Sequence, residues 1–195
     1  MSDISNIIYF VTASFIFTIA PGPDLVFLIT QTFYHGPRAG IPTAMGLTLG
    51  NLIHTVAAAL GISLLFQTSA LAFTALKFLG AAYLLFLAYE VIFRRSAQIT
   101  RSINRSRHSL ILRGILMNVL NPKVMLFFLA FLPQFVIPNA TDIWLEMLFF
   151  GGLFTLIVFF TFGSIGLFVG YFQKLTPDKL LMTSSFKWVL AIVYI

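Results

Sequence analysis

Long apolar stretches alternate with short polar connections along the whole chain. They run from Ile4 to Tyr34, Thr43 to Phe66, Leu71 to Phe93, Leu112 to Val136 and Ile143 to Phe172, with a shorter stretch from Trp188 to Ile195. A helix of about 20 apolar residues crosses a hydrocarbon core. Every stretch but the last meets that length, and several exceed it, which leaves residues for tilt or a break. The strands of a membrane β-barrel would instead alternate polar and apolar positions over about ten residues. Continuous apolarity therefore predicts an all-α fold: a polytopic membrane helix bundle of about six spans, forming one transmembrane domain over residues 1–195.

Composition agrees with the pattern and narrows the chemistry. Of 195 residues, 59% are hydrophobic and 9% charged, against about 25% charged in soluble domains. A water-soluble enzyme or nucleic-acid binder is excluded on that basis. The absence of cysteine removes thiolate catalysis, disulfide exchange and cysteine metal sites. No phosphate-binding GxxxxGK[ST] loop and no HExxH zinc motif occurs. Gly163-Ser164-Ile165-Gly166 has no base nearby in sequence to activate the serine. The chain reads as a non-enzyme with no metal and no cofactor. Met1-Ser2-Asp3 lacks a positive n-region and the first apolar stretch is too long for a signal peptide, so that segment is expected to be retained.

The charges that remain are unevenly placed. The first connection carries Arg38, the third carries Arg94, Arg95, Arg101, Arg105, Arg107 and Arg113, and the fifth carries Lys174 and Lys179. The second and fourth connections have no Lys or Arg, and Asp142 and Glu146 flank the fourth. By the positive-inside rule the odd connections are cytoplasmic and the N-terminus lies outside. The Arg-rich connection could attract nucleic acid or anionic lipid, but topology accounts for it first, and no nucleic-acid partner is expected. Glu90 and Arg94, spaced i,i+4, read as a surface pair. Lys77 reads as a snorkelling residue near the outer end of its span.

Two sites break the rules of a plain membrane helix. Pro21-Gly22-Pro23-Asp24 interrupts the first stretch and Asn121-Pro122-Lys123 the fourth. Each proline removes a backbone donor, so the carbonyls of Phe17, Ile19 and Asn118 lose their usual partners. Such breaks survive in a membrane only when buried in protein or lining a wet cavity. Counting 1.5 Å per residue from the nearest polar boundary places both roughly 15 Å deep, near the midplane. They occupy the first segments of successive groups of three, as two inverted three-helix repeats would, and paired interrupted segments point to a transporter site.

An Asp and a Lys at that depth are costly. Asp24 and Lys123 are expected to neutralise each other, to change protonation, or to contact a charged substrate. Gly22 and Pro23 start one new half-helix, and Asn121 as N-cap with Pro122 at the first position starts another. Two helix N-termini with Lys123 suit a carboxylate, while Asp24 suits an ammonium or a proton. A zwitterionic amino acid fits both. The second stretch adds Asn51, His54 and Thr55 close to one helical face. His54 lies at the depth of the breaks, either as a proton relay or as a hydrogen-bonded core residue. Gly46, Gly50, Gly163, Gly166 and Gly170 read as small residues for close helix packing, within one chain or in a homodimer.

At these residues the chain resembles the lysine exporter (LysE/RhtB) superfamily of bacterial amino-acid exporters. The likeness covers nearly the whole chain. It runs through Pro21-Gly22-Pro23-Asp24; Gly36, Gly40, Gly46, Gly50, His54 and Gly61; Leu76-Lys77-Phe78-Leu79-Gly80 with Tyr83-Leu84-Leu85; and Gly114, Asn118-Val119-Leu120-Asn121-Pro122-Lys123 and Pro133-Gln134-Phe135. The family's two signature motifs map onto Pro21 to Asp24 and Asn121 to Lys123. The resemblance implies a secondary carrier of the inner membrane that exports amino acids or close derivatives, driven by the proton gradient. Export of other small metabolites or ions on the same fold is the alternative.

The resemblance departs at the end, where the family's last helix usually continues. Lys187 and Trp188 read as an inner anchor, and the eight residues that follow reach only roughly 12 Å as a helix. The last span is therefore expected to be incomplete. A tag placed after Ile195 should stay protected from protease added outside the cell; a tag found reliably outside would overturn this expectation.

Overall fold

The computed structural model describes residues 4–68, 78, 106–136 and 142–175, which are helical apart from short turns. The third apolar stretch apart from Phe78, together with Lys77, Glu90, Arg94, Arg95, Arg101, Arg105, Lys179 and the terminal stretch with Lys187 and Trp188, lies outside these residues. Helix α1 spans Ile4–Ile19 and α2 spans Pro23–His35. The two meet at a 56° bend. Helix α3 runs over Pro37–Thr68. Helix α4 covers Arg107–Val119 and α5 covers Pro122–Leu126. The latter continues through a π turn at Phe127–Phe131 and a 3-10 turn at Leu132–Phe135, and the path bends by 51° between α4 and this run. Helix α6 spans Ile143–Leu175 without a break.

Two helices, over Pro37–Gly61 and Ile143–Gln173, are each long and apolar enough to cross a membrane alone. With each bent pair taken as one span, the described residues account for four crossings. The chain is a multi-pass helical membrane protein. Helix boundaries differ from the apolar stretches at two places. The second stretch begins at Thr43, but α3 already begins at Pro37, so Arg38 lies in its first turn and the connection shrinks to Gly36. Proline at a helix start has no donor to lose, which is why the helix extends this far. Gly36 makes the turn with φ 74°, a region other residues rarely enter, and its N–H donates to the Thr32 carbonyl at 2.7 Å. Similarly α4 begins at Arg107, capped by the Ser106 hydroxyl accepting from the Ser109 N–H at 3.3 Å. Arg107 and Arg113 are thus helical residues.

Helix α3 packs along both α4 and α6, and α1 and α2 rest against α6. Contact is closest where glycines face each other. A Cβ on Gly114 would lie 2.9 Å from the Gly46 Cα, and one on Gly46 would collide with the Ile111 carbonyl. Gly151 admits Thr55, and Gly170 admits Pro37. Gly166 meets only ordinary contacts, and Gly163 faces open space among the described residues, so the packing expected of Gly163 is not found there. Between α1, the π turn and α6, a phenylalanine cluster fills the interior. Phe127 stacks on Phe154 at 4.0 Å between ring centroids, and Phe10 meets Phe150 at 4.8 Å. Side chains such as Ile8, Phe15, Phe149, Phe160 and Phe168 point outward, as the lipid-facing surface of a bundle requires.

Overpacking a tight contact costs about 1–3 kcal/mol. Gly46→Ala and Gly114→Ala should each lower stability by that amount in thermal unfolding of the purified chain in detergent. Gly163→Ala should stay within about 0.5 kcal/mol of the parent. Equal losses at all three positions would show that the α3–α4 approach is not limiting.

Candidate functional site

Each proline break frees a carbonyl, and a side chain from another helix answers it. Pro21 leaves the Phe17 carbonyl without its helical donor. Lys123, from the start of α5, donates its Nζ to that oxygen at 2.9 Å and to the Ala20 carbonyl at 2.7 Å. The same ammonium lies 4.6 Å from the centroid of the Phe17 ring. Pro122 leaves the Asn118 carbonyl, and His54 of α3 donates Nε2–H to it at 3.3 Å while the Asn121 N–H reaches it at 3.0 Å. A carbonyl only accepts, so this contact fixes the proton on Nε2. The imidazole also stacks on Phe128, 5.4 Å between centroids and 19° from parallel.

The two breaks are joined a second time through Asp24. Its Oδ2 accepts from Asn118 Nδ2 at 2.7 Å, across 94 residues of sequence. Asp24 is 5% exposed and Asn118 is wholly buried. Neither charge takes the other as its hydrogen-bond partner: the carboxylate faces Asn118 and the ammonium faces backbone carbonyls. Of the two half-helix starts, α5 is capped by its own Asn121, whose Oδ1 accepts from the Lys123 N–H at 3.0 Å. Helix α2 begins at Gly22, which offers no side chain to its first N–H groups. Both caps stand where the sequence predicts them.

Gly22, Asp24, Asn51, Asn118, Asn121 and Lys123 line one cavity, closed on its apolar side by Phe17, Phe154 and other large side chains. About 20 Å³ is left for the centre of a water molecule, room for one small group. A wider cavity of about 430 Å³ also borders Asn121 and is lined by Pro23, Phe27, Arg113 and Pro122 among others. The structure therefore gathers Gly22, Asp24, Asn51, Asn121 and Lys123 on the small cavity and puts Pro23 and Pro122 on the wide one. Pro21 and His54 line neither; His54 reaches the site only through the Asn118 carbonyl. Among the described residues no cluster of His, Cys, Asp and Glu could hold a metal ion. Sequence reading missed the Asn118 side chain. Its signal was available: a polar residue in an apolar run, four positions before the proline that frees its carbonyl.

Comparison with known proteins agrees with this architecture. A family model described as LysE type translocator matches residues 15–193. The chain is 28% identical over 180 residues to an uncharacterized membrane protein, YrhP, of Bacillus subtilis, covering 87% of this chain and 85% of that one. It is 34% identical over 137 residues to the homoserine/homoserine lactone efflux protein of Salmonella typhimurium, covering 69% of this chain and 66% of that protein. It is 29% identical over 178 residues to the leucine efflux protein of Enterobacter sp., covering 88% and 83%. No solved structure matches the chain.

Removing one partner of a buried bond to a charged group costs about 1–3 kcal/mol. Asn118→Leu should destabilise the chain by that amount in thermal unfolding. In an Asp24→Asn background the loss should shrink by at least about 0.5 kcal/mol, the coupling expected of residues in contact. Strict additivity would show that the Asp24–Asn118 bond does not brace the two breaks.

Proposed function

Because the chain belongs to the LysE type translocator family, we propose that it exports amino acids or close derivatives across a bacterial inner membrane in exchange for protons. One observation carries the reading: a buried Asp and a half-buried Lys, contributed by two separate broken spans, line one cavity. Charge in such a position is expensive and is a functional site by default in a membrane protein. Relatives named for efflux of homoserine, homoserine lactone and leucine support a small amino-acid-like cargo. They also favour a carrier over an enzyme.

In the proposed cycle, cargo and proton share these groups. A zwitterion entering the cavity competes with the protein's own bonds, its ammonium for Asp24 and its carboxylate for Lys123 and the uncapped start of α2. Asn118 and Lys123 then have less hold on the facing break, and the two bends are free to change together. Asp24 is the group that exchanges the proton when cargo leaves. The proton gradient supplies the energy, with no bound cofactor. The N-terminus lies outside and the Arg-rich connection in the cytoplasm.

Inside-out vesicles test this directly. With an acid-inside gradient, the parent chain should accumulate leucine or homoserine, and a protonophore should abolish the accumulation. Asp24→Asn and Lys123→Ala should each slow uptake by about tenfold or more, the kinetic equivalent of losing a hydrogen bond to a charged group. Unchanged rates in both variants would sink the site assignment. Accumulation that survives the protonophore would remove proton exchange.

A further inference from the structure

The small cavity has a surplus of acceptors. Three of the residues that line it each carry a buried oxygen with no hydrogen-bond partner: Asp24 Oδ1, Asn51 Oδ1 and Asn118 Oδ1. All three residues are at least nine-tenths buried. The amide orientations are fixed by chemistry. Asn118 must turn Nδ2 to the Asp24 carboxylate, and Asn51 turns Nδ2 to the Leu47 carbonyl at 3.3 Å, so neither amide can flip without losing a bond. An unpaired buried acceptor costs about 1–3 kcal/mol, which makes three together in one cavity a demand for donors.

The donors already present do not meet it. Lys123 has three N–H groups, and two are spent on the carbonyls of Phe17 and Ala20. Those carbonyls belong to the C-terminal end of α1, whose partial negative charge offsets the ammonium where it sits. Asp24 keeps an open Oδ1 beside its Asn118 bond, and the Lys123 ammonium acts on the carboxylate through space, with no hydrogen bond between them. A single water can donate only two hydrogens and brings no charge. A primary ammonium brings three N–H groups and one positive charge, and its head is of the size the cavity admits.

On the export reading above, we infer that Asp24, Asn51 and Asn118 form the subsite for the cargo's primary ammonium group. The free amine, rather than the carboxylate, is then the feature that admits a cargo. The carboxylate end has only the remaining N–H of Lys123 and the start of α2, and its loss is tolerated better. Asn51 and Asn118 act here as ligands of the ammonium, beyond any part in packing.

The test uses the full chain in detergent and measures binding of three probes in choline chloride. Leucine carries both groups, leucinamide keeps the ammonium without the carboxylate, and N-acetylleucine keeps the carboxylate without the ammonium. Leucine and leucinamide should bind within about tenfold of each other, and N-acetylleucine about tenfold or more weaker, the loss expected for a missing charged donor. Asn51→Leu should bring leucine down to the level of N-acetylleucine. If that variant does not fold, the probes on the parent chain decide alone. N-acetylleucine binding as tightly as leucine overturns the subsite while leaving vesicle export of leucine as a separate, intact result. Sodium that stabilises the chain without amine and competes with leucine would make the pocket a metal-cation site and also overturns it. Failure of both amine-bearing probes to bind overturns it as well, and loss of uptake in vesicles removes the export reading beneath it.

Discussion

A proline within a membrane span leaves a carbonyl without its helical donor, and this chain answers that constraint with a side chain at Phe17 and again at Asn118. Each unsatisfied backbone group in hydrocarbon costs several kcal/mol, a large share of the stability of a bundle this small. The Phe17 carbonyl is answered by Lys123 and the Asn118 carbonyl by His54. Neither side-chain donor lies on the broken span it serves, although the Asn118 carbonyl also takes the Asn121 N–H of its own span. The breaks can exist only if the spans carrying them, and α3 between them, are brought into register. Tertiary structure here is a condition of the local backbone.

That requirement explains where the helices touch. Lipid tails are as apolar as leucine, so helices in a membrane associate through packing and polar contacts and gain little from burying apolar surface. Gly46 and Gly114 let α3 and α4 approach backbone to backbone. One turn further along α3, Gly50 leaves the space that Asn118 fills: a Cβ there would lie 2.5 Å from Asn118 Oδ1. The close approach delivers Asn51 to the cavity and His54 to the Asn118 carbonyl. Phe128, at the start of the π turn, then covers the imidazole. Glycine packing and the polar network are therefore one arrangement. Neither would be placed without the other.

Much of this was legible in the chain itself. The spans follow from apolar length, the half-helix starts from Gly22-Pro23 and Asn121-Pro122, and the orphan carbonyls from counting four residues back from each proline. What was not legible depends on direction in space. Nothing in the residues nearby says that Lys123 turns to the end of α1 and leaves Asp24 to Asn118, because either pairing gives both charged groups hydrogen bonds. The start of α3 at Pro37 was hidden by Arg38, whose charge reads as a connection although a long side chain at a helix end can snorkel. Gly163 and Gly170 share a helical spacing, and spacing does not say which of them meets a given neighbour: Gly170 admits Pro37, while Gly163 has nothing within 4 Å among the described residues.

The role of Gly22 follows from these placements. Its φ of −175° is extended backbone that any residue adopts, so conformation alone does not require glycine there. Space does. A Cβ at this position would lie 3.1 Å from Lys123 Cδ and 3.4 Å from Nζ, in the path by which that side chain reaches Phe17 and Ala20. Glycine between two prolines thus serves the facing break more than its own. For the proposed exchange the same opening matters as well. The remaining N–H of Lys123 meets the cargo's carboxylate beside the bare Cα of Gly22. A backbone turn flanked by prolines, with no side chain at its centre, leaves the ammonium room there.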